Sequence, residues 1–209
     1  MAAESFFNVT KFKTSLAQGG ARPSLFSVVF DYPTGITESP TKASFLTRAA
    51  SIPASTIGSY DVHYHGKAIK IAGDRTFDTW DTTIFNDEDF GIRNSLENWM
   101  KAISNHSLNT RSNTIFGAEN SAEGVGAKYK KDLKVKQYGK AGNDLRTYII
   151  EGAWPSNLSA IALDWSTASE IEEFVCTWTY DSWRVAASAD SDSTDSSDVT
   201  GLGTVEFTT

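Results

Sequence analysis

The sequence contains 209 residues, of which 40% are hydrophobic and 22% are charged, and this composition excludes a wholly disordered chain. The length predicts one globular domain, and a net charge of -7 argues against a nucleic-acid binder that is held by phosphate contacts. The single cysteine, Cys176, excludes an internal disulfide and any multi-cysteine zinc or iron–sulfur site.

The first half of the chain predicts short strands and one hairpin. Residues 25–30 and 45–51 are predicted strands, and the turn-rich residues 34–42 between them are a predicted loop. Residues 60–65 and 67–72 are separated by a glycine and are typical of the two arms of a hairpin. Because this hairpin is only weakly apolar, we expect it to lie outside the protomer's own core.

A strand and then a helix are predicted next. In residues 76–85 the side chains of Trp80 and Ile84 share one face of a strand. The acidic and cap-forming residues at 86–89 then precede an apolar pattern with spacings of 4, 3 and 4, which predicts one amphipathic helix. The residues of this pattern are Ile92, Leu96, Trp99 and Ile103. The polar residues from 108 to 126 are a predicted long loop.

The second half predicts strand after strand, at 129–138, 145–154, 159–165 and 171–185, with a turn at 154–157. In the last strand Phe174, Cys176, Trp178 and Tyr180 face one way, and Thr177 and Thr179 face the other. An apolar face backed by a Thr-rich face is typical of a sheet that is packed on one side and hydrated on the other. We therefore expect a mainly β protein, an antiparallel sandwich or barrel with one flanking α-helix.

The C-terminal end is acidic and low in apolar residues. Residues 186–209 contain five Asp and Glu residues and no Lys or Arg, and such Ala-, Ser- and Asp-rich sequence buries too little apolar surface to fold alone. We divide the chain into a domain at 1–185 and an acidic extension at 186–209, in which residues 203–207 could pair as a terminal strand on a partner. With no secretory signal and no apolar run near the roughly 20 residues of a spanning helix, we expect a soluble protein without a membrane anchor.

Few residues suggest chemistry. Asp61, His63 and His65 alternate and could in principle provide three metal ligands, but the polar face of an exposed or interface hairpin is the simpler interpretation. Cys176 lies on an apolar strand face, which favours a buried thiol over a nucleophile. No catalytic or phosphate-binding motif has the required spacing. We expect neither enzymatic activity nor a cofactor.

A row of lysines has several interpretations. Lys130, Lys134 and Lys136 share the face opposite Leu133 and Val135. The row could bind an anionic partner, form a solvated face, or protect a sheet edge against aggregation. It could also be a subunit interface that matches the acidic extension of a neighbouring copy.

Several stretches, taken in order, resemble the tail tube protein of contractile-tailed bacteriophages. The two most specific are A-G-D-R-T-F-D-x-W at 72–80 and E-G-x-W-P-x-N at 151–157. Other stretches in the same order lie at 21–26, 86–88, 129–131, 163–165 and 171–174, so the resemblance covers about residues 12–183. The loop at 108–127 and the acidic extension depart from the usual family pattern.

The resemblance implies a structural virion protein. Members of that family form hexameric rings in which the sheets join into a continuous inner β-barrel, and the rings stack into a tube inside a contractile sheath. The implied partners are copies of the chain itself, the sheath protein, and the baseplate and tail-terminator proteins. The tape-measure protein and DNA would pass through the lumen without specific binding. The implied location is the virion tail, assembled in the host cytoplasm.

The resemblance also implies roles for particular residues. By position, the hairpin and the residues that follow it resemble the segment that reaches neighbouring subunits, where Arg75 would pair with a carboxylate; an intrachain pair with Asp78 is the alternative. The candidate contact residues are His63, His65, Asp74, Arg75, Lys134 and Lys136, and the candidate lumen-facing residues are Thr177 and Thr179.

Other functions stay open at this point. A baseplate–tube junction protein, or the tube of a phage-derived contractile injection system, would share these patterns. A monomeric ligand-binding β-barrel and a metal-dependent enzyme at Asp61, His63 and His65 are alternatives from different classes, and no convergent polar site accompanies either.

Overall fold

A computed structural model of the chain describes residues 8–16, 19–33, 35–36, 40–107, 110, 127–167 and 169–186. Most of this part consists of short strands with a few helices between them. The strands are β1 (Phe26–Val29), β2 (Thr47–Ala50), β3 (Thr56–Tyr64), β4 (Lys67–Thr76), β5 (Trp80–Phe85), β6 (Lys131–Tyr138), β7 (Asp144–Leu158), β8 (Glu173–Thr179) and β9 (Ser182–Val185). The α-helices are α1 (Val9–Ser15), α2 (Pro40–Leu46) and α3 (Gly91–Ile103), and a 3-10 turn lies at Ala127–Tyr129.

Seven of these strands form one antiparallel sheet in the order β1-β6-β7-β8-β5-β2, with β9 also paired to β7. Strands β3 and β4 form a separate antiparallel hairpin. The predicted mainly β, antiparallel class is therefore confirmed. The acidic extension from residue 187 onward, including the possible terminal strand, lies outside the described residues.

Strand β7 changes partners along its length. Its first part pairs with β6 on one side and β9 on the other, and its last part, from Trp154, pairs with β8. The change occurs next to Gly152, which has a φ of 65° and whose N–H donates to Asp132 Oδ1 at 3.0 Å. A Cβ atom built at Gly152 would lie 2.4 Å from Asp181 Oδ2. Glycine is favoured here because the left-handed backbone strains any other residue and an added Cβ would displace the Asp181 carboxylate.

The core is formed by alternate residues of the strands and one face of α3. The Trp178 ring contacts Phe30 at 5.2 Å and Trp99 at 5.7 Å between ring centroids. Both buried indoles keep a hydrogen bond, because Trp178 Nε1 donates to Thr82 Oγ1 at 2.9 Å and Trp99 Nε1 donates to the Tyr129 carbonyl at 2.9 Å. Satisfied indole N–H groups let these large rings be buried without a polar penalty.

The predicted amphipathic helix is confirmed as α3, which buries Ile92, Leu96 and Trp99. Two further helices of seven residues each were not predicted. In α1 no residue is buried, and its start is capped by the Asn8 side chain, which accepts from the backbone N–H of Thr10 at 3.0 Å. Periodicity gives no signal for such a helix, since no side chain has to face a core. Among the described helices, none is long and apolar enough to cross a membrane.

The predicted strand at 45–51 is wrong in its first two residues, and the predicted loop at 34–42 is wrong at its end. Helix α2 occupies these positions, and Thr47, the first residue of β2, bonds back to it, since its Oγ1 donates to the Ala43 carbonyl at 2.8 Å. Phe45 is 82% exposed, so its apolar character is no sign of a strand packed on the core.

The predicted turn at 154–157 is wrong, because β7 continues to Leu158. Pro155 is buried opposite Trp178, and the register shifts between Pro155 and Asn157. A shift of this kind is one of the few places where a strand accepts proline. The strand predicted at 159–165 is also wrong, because these residues form no ladder and Trp165 projects into solvent.

Replacing Gly152 with alanine is expected to lower the free energy of unfolding by about 3 kcal/mol, because it adds left-handed strain and displaces Asp181 from Lys130 Nζ. Gly142→Ala is the matched control, since its φ is 81° and no atom lies within 4 Å of its added Cβ. We expect a loss of about 1 kcal/mol there. Chemical denaturation measures both values, and equal losses would contradict a special role for Gly152.

Candidate assembly surfaces

The β3–β4 hairpin is a projecting arm with two different faces. Cross-strand pairing places Tyr60 opposite Ile71 and Val62 opposite Ile69, so these four side chains share one face with Tyr64. All five are 40–68% exposed. Within the described residues the hairpin pairs with no strand of the main sheet. A two-stranded hairpin is marginally stable in water, so a bare apolar face of this kind favours a partner.

The opposite face of the hairpin is polar. Asp61 accepts a hydrogen bond from Lys70 Nζ at 3.2 Å, and His63 lies opposite Ala68. The predicted metal ligands Asp61 and His63 lie on this polar face. The apolar face also has a sequence signal, the alternation of Tyr60, Val62 and Tyr64, which the predicted weakly apolar hairpin left unused.

His65 does not share the face of Asp61 and His63. It lies in the hairpin turn with a φ of 45°, and its ring contacts that of Tyr64 at 4.4 Å. The described part of the chain contains no group of three or more His, Cys, Asp or Glu side chains that could hold a metal ion. The alternation that suggested three ligands ends where the strand ends.

Asp74 and Arg75 lie near the base of the hairpin, where the register shifts between Ile57 and Ser59 and Arg75 lies opposite Ile57. Both side chains are exposed. Among the described residues Arg75 forms no ion pair, so the intrachain alternative with Asp78 is not realised there. The guanidinium group is available to a carboxylate from another chain.

The fold places Lys130 in a different environment from the other two lysines of the predicted row. Lys130 Nζ bonds both carboxylate oxygens of Asp181, at 2.8 and 2.7 Å. Lys134 and Lys136 lie in β6, partly buried, and form no ion pair within the described ranges. Between Lys134 and Arg184 lies Ile149, which is 4% exposed on this outer side of the sheet. The lysine stems therefore cover apolar surface while their charges stay accessible.

Thr177 and Thr179 lie on the side of β8 opposite the core and are partly exposed. Their neighbours across the strands include Asp81 and Asn157 for Thr177, and Trp154 for Thr179. Ser156 Oγ donates to the Thr177 carbonyl at 3.0 Å, which adds another hydroxyl nearby. The predicted Thr-rich side of this strand is thus present.

The comparisons with known proteins decide the family. The family model described as phage tail tube protein matches residues 8–186. The chain belongs to the phage tail tube protein family. The tail tube protein gp19 of Enterobacteria phage T4 is 32% identical over 165 residues, which cover 78% of this chain and 91% of that relative. The tail tube protein of Serratia phage KSP90 is 25% identical over 177 residues, which cover 82% and 93%.

Solved structures share the fold of this tail tube protein. A structure described as the anti-feeding prophage baseplate matches with a TM-score of 0.56 at 9% identity, covering 79% of this chain and 95% of that one. An extracellular contractile injection system sheath/tube terminator matches with a TM-score of 0.52 at 16% identity, covering 78% and 92%. The predicted family is confirmed, and with it a structural role in the tail tube of a contractile-tailed phage.

Cys176 is 0% exposed, and burial, with a smaller contribution from Asp81, raises the pKa of its thiol far above the ordinary value. We expect the native protein to react with a thiol reagent at least about a hundredfold more slowly than the unfolded chain, because only the thiolate reacts. Absorbance of the released thiol reports the rate, with the same protein in denaturing guanidinium chloride as the control. Fast labelling of the native protein would show that the thiol is accessible.

Proposed function

We propose that this tail tube protein forms hexameric rings in which neighbouring sheets join into a continuous inner β-barrel. The rings stack into the tube through which the genome passes, inside a contractile sheath. The observation that carries this proposal is the projecting β3–β4 hairpin with its uncovered apolar face, on a chain of the tail tube family. A neighbouring subunit would cover that face and the free edges of the sheet, much as closure of a barrel removes edges.

The hairpin supplies the proposed contacts between subunits. Its apolar face packs on the neighbouring subunit, and Arg75 at its base pairs with a carboxylate there. Asp74 is next to Arg75 at the base of the hairpin and flanks that contact, whereas His63 and His65 lie at the far end of the hairpin, where they meet another part of the neighbouring subunit. On the main sheet, Lys134 and Lys136 form ion pairs with acidic residues of a neighbouring copy. The candidate source of these acidic residues is the extension at 186–209.

Thr177 and Thr179 line the lumen in this proposal. Hydroxyl groups hold water, and the Asp81 carboxylate opposite Thr177 repels phosphate groups. A lumen of this chemistry lets DNA and the tape-measure protein pass without specific binding.

The other proposed partners are the sheath, baseplate and tail-terminator proteins, and the fold shared with a baseplate structure and a sheath/tube terminator supports this range. The proposed role is non-enzymatic, and the location is the virion tail, assembled in the host cytoplasm. The same similarity supports a second candidate, a baseplate–tube junction protein or the tube of a contractile injection system. Copy number per particle separates a junction protein, which forms few rings, from a tube protein, which forms many.

Negative-stain electron microscopy over a protein concentration series, with light-scattering mass, tests the proposal. Hollow rings or tubes are expected, alone or after addition of a pre-formed tube end. A chain that stays monomeric even with that seed would overturn the proposal and favour a monomeric ligand-binding barrel.

The double variant Val62→Ser, Ile69→Ser removes a cross-strand pair from the apolar face of the hairpin. We expect the critical concentration for assembly to rise at least about tenfold, because two exposed aliphatic side chains no longer become buried. The matched control is Asp61→Ser, Lys70→Ser, a cross-strand pair on the polar face, which is expected to change assembly by less than about threefold. A larger effect of the control would place the subunit contact on the polar face.

Arg75→Ala is expected to leave the melting temperature of the monomer unchanged, because Arg75 has no ion pair within the described residues, and to weaken assembly by about tenfold. Lys70→Ala on the same strand is the control, since Lys70 already pairs with Asp61 of its own chain. Light scattering measures assembly, and thermal unfolding measures stability. Equal effects of the two variants on assembly would rule out a specific intersubunit pair at Arg75.

A further inference from the structure

Trp165 projects from a hydrogen-bonded turn between β7 and β8. Its side chain is 104% exposed, and the adjacent Leu163 is 80% exposed. The turn is fixed by Asp164, whose Oδ1 accepts from the backbone N–H and from Oγ of Ser166, both at 2.9 Å. Those two bonds hold the pKa of Asp164 below its usual range, and Thr167 Oγ1 donates to the Asp164 carbonyl at 2.8 Å. The indole is therefore presented to solvent by a defined backbone, at a low entropic cost for binding.

A small apolar cavity lies near the base of the hairpin. It has a volume of about 270 Å³, is open to solvent on one side, and is lined by Phe26, Ile52, Val135 and Tyr148 among others. Gln137 also lines it and provides a side-chain amide that can accept a hydrogen bond. The cavity is thus apolar with one polar group, which suits an indole ring and its N–H.

The exposed indole and the cavity belong to different parts of the fold. The Trp165 turn precedes the start of β8, where Asn86 N–H donates to the Glu172 carbonyl at 2.8 Å. The cavity residue Ile52 follows β2, whose last residue, Ala50, pairs with Thr82 of β5. The Trp165 side chain is fully exposed in a single copy, so it does not occupy the cavity of its own chain.

The two surfaces also differ in charge. Between residues 159 and 172 the sequence has Asp164, Glu170 and Glu172 and no Lys or Arg, and the next acid, Glu173, pairs with Arg48. Beside the cavity, the Arg146 guanidinium lies 5.2 Å from the ring centroid of Tyr148, and Arg22 immediately precedes a lining proline. Within the described part of the chain neither arginine forms an ion pair. An acidic turn approaching a basic cavity edge is electrostatically favourable.

We propose that Trp165 of one copy of this chain inserts into the Phe26–Tyr148 cavity of a second copy, in a head-to-tail contact. Such a contact joins two different surfaces, so a pair of copies keeps one free turn and one free cavity. Repetition therefore adds copies without limit or closes a ring. The proposal rests on the proposed function, because it names residues through which the tube protein associates with itself. A buried tryptophan surrounded by apolar walls is the kind of residue that dominates an interface.

Three variants test the contact, with the critical concentration for assembly as the readout. Trp165→Ala is expected to raise it at least about tenfold, and Trp165→Phe, which keeps an aromatic ring, to change it by less than about threefold. Ile52→Asp, which places a charge at the cavity on a side chain that is 49% exposed, is expected to match Trp165→Ala. Thermal unfolding of each monomer checks that the fold is retained.

A crosslink identifies the partner surface directly. A photoreactive p-benzoylphenylalanine at position 165 is irradiated in an equal mixture of isotope-labelled and unlabelled protein, and crosslinked peptides are mapped by mass spectrometry. Labelled–unlabelled crosslinks to peptides that contain residues 23–26, 50–52, 135–137 or 148 are expected. Normal tubes from Trp165→Ala, or crosslinks only to other surfaces, would overturn this inference and leave the proposed function standing. Wild-type protein that neither assembles nor crosslinks would overturn both.

Discussion

Strand β7 belongs to both halves of the main sheet, and the left-handed backbone at Gly152 allows this. Before the glycine the strand pairs with β6 and β9, and after it the strand pairs with β8. Asp132 accepts a hydrogen bond from the Gly152 N–H, and the Asp181 carboxylate occupies the space where a Cβ would lie. Residues outside β7 are therefore matched to the backbone conformation of this glycine. Strands β6 and β8, which carry the exposed lysines and threonines, pair with the two parts of β7 on either side of this glycine.

A chain of aromatic contacts then joins the helix to the sheet. Trp178 lies between Phe30 and Trp99, and each buried indole N–H has an acceptor. Because both indole N–H groups are satisfied, these large rings fill the interior without a polar penalty. Cys176 is buried in the same cluster. The candidate assembly surfaces lie outside this cluster.

The candidate assembly surfaces share one physical property, which is that a single copy of the chain leaves their apolar groups uncovered. The hairpin exposes a full apolar face, Trp165 is entirely exposed, and a cavity stands open near the hairpin base. Arg75 and Arg146 carry charges without an ion pair within the described residues. Exposed aromatic and arginine side chains beside apolar surface are typical of interfaces. A protein whose function is to build a tube from itself has a direct use for all of them.

The sequence by itself determined which residues face inward and which family the chain resembles. Alternation predicted the inward set Phe174, Cys176 and Trp178, and spacings of 4, 3 and 4 predicted α3, because these patterns are local consequences of strand and helix geometry. Only the tertiary structure decided what each surface meets. Pro155 stays within β7 because the partner strand accommodates a register shift, and Tyr60 shares a face with Ile71 because of cross-strand pairing. Trp165 lies in solvent because no strand pairs with its segment among the described residues. Pairing and burial depend on residues distant in the chain, and no local pattern encodes them.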